Sequence, residues 1–446
     1  MKATNFTEGE IGSQIMRFAL PIIMGNLFMQ LYQVIDSVIV GRFLGTEALG
    51  AVGASTPVVF ATIAIVIGIG SGASVVISQY FGAKQYDKVR ITSDTLHIVL
   101  LASGVIIAAF GIFFSRDIFH ILGLPEELMD HAVSYLSIYL GGIFLLFGFN
   151  TISSMLRGVG DSKTPLYFLL FSAVLNVLLD LLFIVVFGWG IASVAWATVI
   201  SEGVAYMIAI GYINKTSKIF HINLLRLRFD RHIFNQCIKY GLPTGIQQSF
   251  VAFGAVAISF LVNRYGADVV AGYSIAMRID HLAVIPAMNF GMAMVSFSGQ
   301  NVGAGRYDRV RRGLKITLLY STAISIVISL VLILFSEPIL SIFTTDSAVI
   351  GVAHEYLIVV SCFFPFFTIM SVLNGMFRGA GDVIAPMVIT SVALWGIRIP
   401  SASVLSDSIG STGIWWSIPF GWCCGMVIAL IYYKRGNWHT KSIIKH

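Results

Sequence analysis

Apolar runs of about twenty residues or more, separated by short polar turns, fill nearly the whole chain. Read in order, they predict twelve helical spans near residues 15–40, 51–78, 92–114, 132–155, 164–187, 190–213, 233–262, 267–298, 314–335, 350–376, 384–405 and 411–433. At about 1.5 Å rise per residue, each is long enough to cross the roughly 30 Å hydrocarbon core of a bilayer. Strands would show a polar residue at every second position, and that alternation is missing. Backbone polar groups in lipid must then be satisfied within helices, so the expected class is an all-α integral membrane protein. Met1–Glu10 is polar and the first apolar run is too long for the apolar stretch of a cleavable signal, so none is expected.

The pattern is written twice. Ser78-Gln79-Tyr80-Phe81-Gly82-Ala83-Lys84-Gln85-Tyr86-Asp87-Lys88-Val89-Arg90 returns as Gly299-Gln300-Asn301-Val302-Gly303-Ala304-Gly305-Arg306-Tyr307-Asp308-Arg309-Val310-Arg311. Arg157-Gly158-Val159-Gly160-Asp161 returns at the same spacing as Arg378-Gly379-Ala380-Gly381-Asp382, and Phe114-Ser115 as Phe335-Ser336. Arg17-Phe18-Ala19-Leu20-Pro21 answers Lys239-Tyr240-Gly241-Leu242-Pro243, with a one-residue slip absorbed near Gly45 and Gly266. The duplication predicts two pseudo-symmetric six-helix lobes, residues 1–219 and 220–446, joined by a polar linker over 214–231. An even number of spans per lobe makes the repeats parallel, and such duplication marks transporters.

Only 11% of residues are charged against 57% hydrophobic, far from the soluble balance of about 25% charged. The net charge of +6 follows from topology rather than from a nucleic-acid partner, which is not expected. Of 28 Lys and Arg, Arg42, Arg116 and Arg264 fall on one side and Arg278 and Arg398 inside spans; the others gather at the termini and the turns after even-numbered spans. The positive-inside rule then places both termini in the cytoplasm of a multi-pass protein of the bacterial inner (plasma) membrane. Glu126, Glu127, Asp130, Glu337, Asp346 and Asp407 lie on the opposite face. The Gly-rich turns at Gly82 and Gly303 do not show the Gly, Lys and Ser/Thr pattern of a phosphate-binding loop and read as tight turns, with Asp87 and Asp308 opening the next helices. Cys237, Cys362, Cys423 and Cys424 have no metal-ligand spacing and read as small buried hydrophobes. The tail with Trp438, Lys441 and Lys445 reads as frayed and interfacial.

Ionisable groups inside spans carry the functional signal, because a carboxylate at mid-bilayer costs about 2.5–3.5 kcal/mol on insertion scales. Asp36, Asp180, Asp280 and Arg278 stand out. Asn176 and Asp180 share a helix face, roughly 18–24 Å from the start of their span at Thr164; Thr198 lies about 12 Å into the next. Asp36 is near the outer end of the first span, so all four converge in depth in the first lobe. Two carboxylates, an amide oxygen and a hydroxyl suit a hard monovalent cation such as Na⁺, or a shared proton. Taken one at a time, Asn176 or Thr198 also fits plain interhelical hydrogen bonding.

Arg278 and Asp280 are two apart and do not face each other; structural pairing and a gating or substrate role both remain open. Tyr32, Gln33, Tyr139, Phe149, Gln247, Tyr273, Met288 and Met292 are candidates for an adaptable substrate surface, since methionines repack and aromatic faces attract cations. Helix packing is the alternative for each. Pro21, on the same helix as Asp36, is the candidate for a kink that changes state. The scattered His residues and the lack of paired Asp-rich motifs exclude an integral-membrane enzyme, and no cofactor beyond a coupling ion is expected.

These motifs resemble the multidrug and toxic compound extrusion (MATE) family across essentially the whole chain. The likeness rests on Leu20-Pro21 with Gln30-Leu31-Tyr32-Gln33-Val34-Ile35-Asp36, on Gly299 to Gly305, and on Arg157-Gly158-Val159-Gly160-Asp161. It implies twelve helices in two six-helix lobes around a central cleft, and export of amphipathic, often cationic compounds by antiport with H⁺ or Na⁺, here from a monomer in membrane lipid. The chain looks most like the DinF-like branch, in which residues matching Asp36, Asn176, Asp180 and Thr198 bind the cation and the first helix bends at the proline matching Pro21. The NorM-like branch has acids in helices seven and ten; this chain shows Gln247 and Gln248 in one and no carboxylate over Phe363–Phe377 in the other. Lipid-linked saccharide flippases of the same superfamily are the alternative, kept open by Arg278 and Arg398.

Overall fold

The computed structural model describes residues 4–444, the side chain of Ile65 excepted. Helices account for nearly all of it. In chain order they are α1 (Ile11–Phe43), α2 (Gly45–Gly82), α3 (Tyr86–Ile121), α4 (Glu126–Gly141), α5 (Ile143–Gly158), α6 (Lys163–Leu181), α7 (Ala192–Thr216) and α8 (Arg231–Val262). There follow α9 (Ala267–Gly303), α10 (Tyr307–Leu340), α11 (Ser347–Ser361), α12 (Phe364–Gly379), α13 (Ile384–Ser391), α14 (Ile399–Ile409) and α15 (Ser411–Arg435). Among the described residues ten helical segments are long and apolar enough to cross a membrane, and twelve if each of two bent pairs counts as one span.

The bent pairs are the fourth spans of the two halves, expected as single helices. α4 and α5 meet at 48°, α11 and α12 at 53°. The first bend falls at Gly141-Gly142, both weak helix formers. The second falls just ahead of Pro365, which has no N–H to continue a helix. Two further spans loosen into wider π-helical turns: α6 continues through Leu182–Val186, and α13 is joined to α14 by Val392–Arg398. Pro400, next to the second of these, removes another helical donor.

The repeated motifs are structural devices. The turn between α2 and α3 places Lys84 at φ +59°, and the matching turn between α9 and α10 places Gly305 at φ +70°. Glycine is at home in that left-handed region and lysine is not. Asp87 and Asp308 sit in the first turns of α3 and α10, where a negative charge faces the helix dipole. In the second motif, Asp161 accepts from the backbone N–H groups of Lys163 and Thr164 at 3.1 and 3.0 Å and so caps α6. Asp382 accepts from Ala385 N–H at 3.2 Å ahead of α13.

The chain forms two compact units, residues 20–242 and residues 5–19 with 243–444. The divisions fall at Leu20-Pro21 in α1 and Leu242-Pro243 in α8, where each proline deletes one hydrogen bond of an otherwise continuous helix. The core of the second unit is centred on Trp415, Tyr273 and Tyr356, with Ile258 and Leu357 around them. Helices α9 and α12 come close enough that a Cβ on Gly375 would lie 2.0 Å from the Gly291 carbonyl oxygen. The segment before α1 is fastened in this unit. Gln300 accepts the Phe6 N–H at 2.9 Å, and Arg309 donates to the carbonyls of Phe6, Glu8 and Gly9 at 2.8, 2.9 and 2.8 Å. In the first unit the stretch before α8 is held likewise: Arg228 N–H donates to Asp94 and Asp230 N–H to Thr95.

Two expectations are corrected. Trp438 is not frayed: it is buried, with its ring stacked on Tyr433 at 6.1 Å and against Tyr307 at 6.2 Å; Lys445 lies outside the described residues. Of the cysteines, Cys237 is buried but Cys362 is exposed, because it sits in the bend between α11 and α12 rather than inside a packed helix.

Candidate functional site

Four helices of the first unit present polar side chains at four-residue spacing, which puts each pair on one helix face. α1 carries Tyr32 and Asp36, α6 carries Asn176 and Asp180, α7 carries Thr198 and Glu202, and α4 carries Tyr135 and Tyr139. α6 and α7 pack directly on each other. Asp180 is 0% exposed and Asn176 1%.

The Asn176 amide donates to the Thr198 hydroxyl at 3.2 Å, and that hydroxyl donates to the Val194 carbonyl at 3.0 Å. The carboxyl groups of Asp36 and Asp180 lie within electrostatic reach of one another. An ionised carboxylate only accepts, so two of them can hydrogen-bond only by sharing a proton. Asp36 Oδ1, both oxygens of Asp180, Asn176 Oδ1 and Glu202 Oε2 are buried with no hydrogen-bond partner. Among the described residues the ion pairs, Arg116–Asp130 and His120–Glu126, lie elsewhere. Buried acceptors in such numbers are costly unless a proton or cation meets them. The donor set of carboxylate, amide and hydroxyl oxygens fits a hard monovalent ion or H⁺.

All four residues expected at the cation site are therefore neighbours in one unit. Glu202 and Tyr135 are additions. Tyr32 lies within electrostatic reach of Asp36, Asp180 and Glu202, and Tyr135 within that of the two aspartates. The sequence held a signal for Glu202, since it sits one helical turn after Thr198 on the same face. Among the described residues no three His, Cys, Asp or Glu side chains converge as a metal cage.

The candidates for a substrate surface scatter. Tyr139 and Phe149 are buried within the first unit, with Tyr139 stacked on Tyr135 at 6.0 Å; Gln33 is exposed. In the second unit Tyr273 is buried and stacks on Trp415 at 5.5 Å. Gln247 is committed to structure, donating to Thr390 Oγ1 and accepting from Arg378, both at 2.6 Å. Met288 and Met292 are 48% and 40% exposed. Arg278 is exposed, while Asp280 has Arg398 within electrostatic reach. Pro21 lies in unbroken helix, with α1 running through it to Asp36.

Comparison with known proteins agrees with this architecture. The MatE family model matches residues 21–182 and again residues 243–404, each match opening at the proline of a Leu-Pro pair. The chain is 32% identical over 444 residues to the probable multidrug resistance protein YpnP of Bacillus subtilis, covering 99% of each. It is 26% identical over 448 residues to the probable multidrug resistance protein NorM of Thermotoga maritima, covering 98% of this chain and 95% of that one. The crystal structure of a MATE in the bent conformation superposes with a TM-score of 0.91 at 23% identity, over 97% of each chain. An outward-facing multidrug resistance MATE family transporter gives the same TM-score and identity over 97% of each chain. These two likenesses establish the fold. Matched once in each half, the chain belongs to the MatE family.

Proposed function

We propose that this protein is a secondary active exporter of amphipathic, often cationic organic compounds, driven by inward movement of H⁺ or Na⁺. The observation that carries the reading is the Asp36–Asp180 pair, two carboxyls within electrostatic reach of each other, with unpartnered buried oxygens and, among the described residues, no basic side chain bonded to them. An ion entering there neutralises the acids, and a cationic compound held by their charge is then released; the two compete for one negative site. Asn176 and Thr198 complete the oxygen set. Relatives named as multidrug resistance proteins support the substrate class.

The acids in the first half, against Gln247 and Gln248 in the seventh span and no carboxylate over Phe363–Phe377 in the tenth, favour the DinF-like branch. The Lys and Arg distribution favours a multi-pass protein of the bacterial plasma membrane with both termini cytoplasmic. A monomer is the proposed working unit. Bending of α1 at Pro21 is the proposed gate, in keeping with related proteins described in bent and straight conformations. A lipid-linked saccharide flippase would need clustered free positive charge for a pyrophosphate; Arg398 is offset by Asp280, which leaves only Arg278 of the two candidate arginines. Purified protein in liposomes tests the proposal: ethidium should move against its gradient under an imposed H⁺ or Na⁺ gradient and stop in Asp36→Asn. Ethidium movement that ignores both gradients overturns it.

A further inference from the structure

Beyond the aspartate pair, buried polar atoms without partners continue along the first unit. Thr198, Glu202 and Tyr206 follow one another at four-residue spacing on one face of α7. Glu202 Oε2, the Tyr206 hydroxyl and Nε2 of His97 on α3 are each buried with no hydrogen-bond partner. Tyr206 is 2% exposed and His97 0%, and their rings stack with centroids 6.3 Å apart. The groups within electrostatic reach of Glu202 are Tyr32 from α1 and Tyr139 from α4. The group facing His97 is Tyr206.

The chemistry of His97 is directional. Its Nδ1 lies 2.9 Å from the Ser93 carbonyl oxygen, which only accepts, so Nδ1 carries the hydrogen. Nε2 of the neutral ring is then a lone pair with no donor, the one site on the ring that can accept a proton. Polar side chains that serve as glue between membrane helices make hydrogen bonds; these three atoms make none.

Their order in depth is also consistent. At about 1.5 Å per residue, Glu202 lies roughly 6 Å and Tyr206 roughly 12 Å beyond Thr198 along α7. One turn from His97 toward the start of α3, Asp94 and Thr95 bond the backbone of Arg228 and Asp230 in the connection before α8. The line therefore leads away from Asp36 toward the end of the unit that carries that basic connection.

We propose that Glu202, Tyr206 and His97 form a proton route that empties the Asp36–Asp180 pair toward the cytoplasm, which makes H⁺ the exchanged ion. The proposal rests on the reading of Asp36 and Asp180 given above. A proton leaves the pair through the Tyr32 hydroxyl, which takes one at oxygen and releases its own to the Glu202 carboxylate. Water admitted during turnover bridges the helical turn to the Tyr206 hydroxyl, which relays in the same way. Nε2 of His97 accepts the proton, and the imidazolium returns it to water at the cytoplasmic end. Each station gains one proton and passes one on.

The test uses full-length protein in liposomes holding a trapped pH-sensitive dye, with ethidium as the counter-substrate. Glu202→Gln and His97→Gln should each slow ethidium-driven proton movement by roughly tenfold or more, as expected for removing a proton-transfer group. His97→Gln should still bind ethidium, and Glu202→Asp should recover part of the flux. Asp36→Asn should abolish coupling. Wild-type proton flux in both Glu202→Gln and His97→Gln, with Asp36→Asn dead, overturns the route alone. Full coupling in Asp36→Asn overturns the aspartate reading and the route with it. Exchange driven by Na⁺ with no proton movement also sinks the route. Should a variant elute as aggregate, Tyr206→Phe, which removes one oxygen from a stacked ring, decides the matter by the same readout.

Discussion

The Asn176 amide and the Thr198 hydroxyl, 3.2 Å apart, tie α6 to α7 at the level of the acid pair. The bond spends the amide nitrogen and leaves Asn176 Oδ1 buried and unpartnered. A structural cross-link and a proposed cation ligand are thereby combined in one side chain. Thr198→Val keeps the shape and removes the acceptor. The stranded amide should cost about 1–3 kcal/mol of stability. Thermal unfolding in detergent reads that cost, and dye efflux should lose its dependence on the driving ion in the same variant.

Asp36→Asn and Asp180→Asn should separate binding from coupling. Each removes one of the two carboxyls of the pair, and each leaves an amide able to donate to its neighbour. Both variants should fold, and both should lose gradient-driven efflux of ethidium by roughly tenfold or more. Efflux measured under imposed gradients checks this; a single variant retaining full coupling would show that the carboxyls do not act as a pair.

Pro21→Ala restores an N–H that can bond the Arg17 carbonyl in α1 and stiffens the helix where the compact units divide. Transport should slow while the protein becomes more resistant to heat. Unchanged turnover with raised thermal stability would mean that α1 does not bend there during the cycle.

Lys84 and Gly305 hold the same left-handed position in matching turns. Lys84→Gly removes the strain of a side chain at positive φ and should stabilise the protein, while Gly305→Ala should destabilise it, each by about 1 kcal/mol. Differential scanning fluorimetry of the two variants should show shifts of opposite sign, with transport unaffected in Lys84→Gly.

The helical membrane class, the duplicated spans and the four polar residues at Asp36, Asn176, Asp180 and Thr198 were legible in the chain itself. The reason is physical: hydrocarbon tolerates few polar groups, so apolar run length reports the spans and each buried acid stands out. Helical spacing told which of those residues share a face. It did not reveal the bends at Gly141-Gly142 and ahead of Pro365, because a continuous apolar run looks alike whether straight or broken.

Packing decided the rest. Whether Asp280 answers Arg278 or Arg398 depends on which helices pack together, and spacing along one helix carries no such information. Spacing from Thr198 hinted at Glu202, but only the tertiary structure showed the polar atoms of Glu202, Tyr206 and His97 to be buried and unbonded. Sequence sets how much polarity a span must bury; only the packing of neighbouring helices settles which of those groups find a partner and which stay free for chemistry.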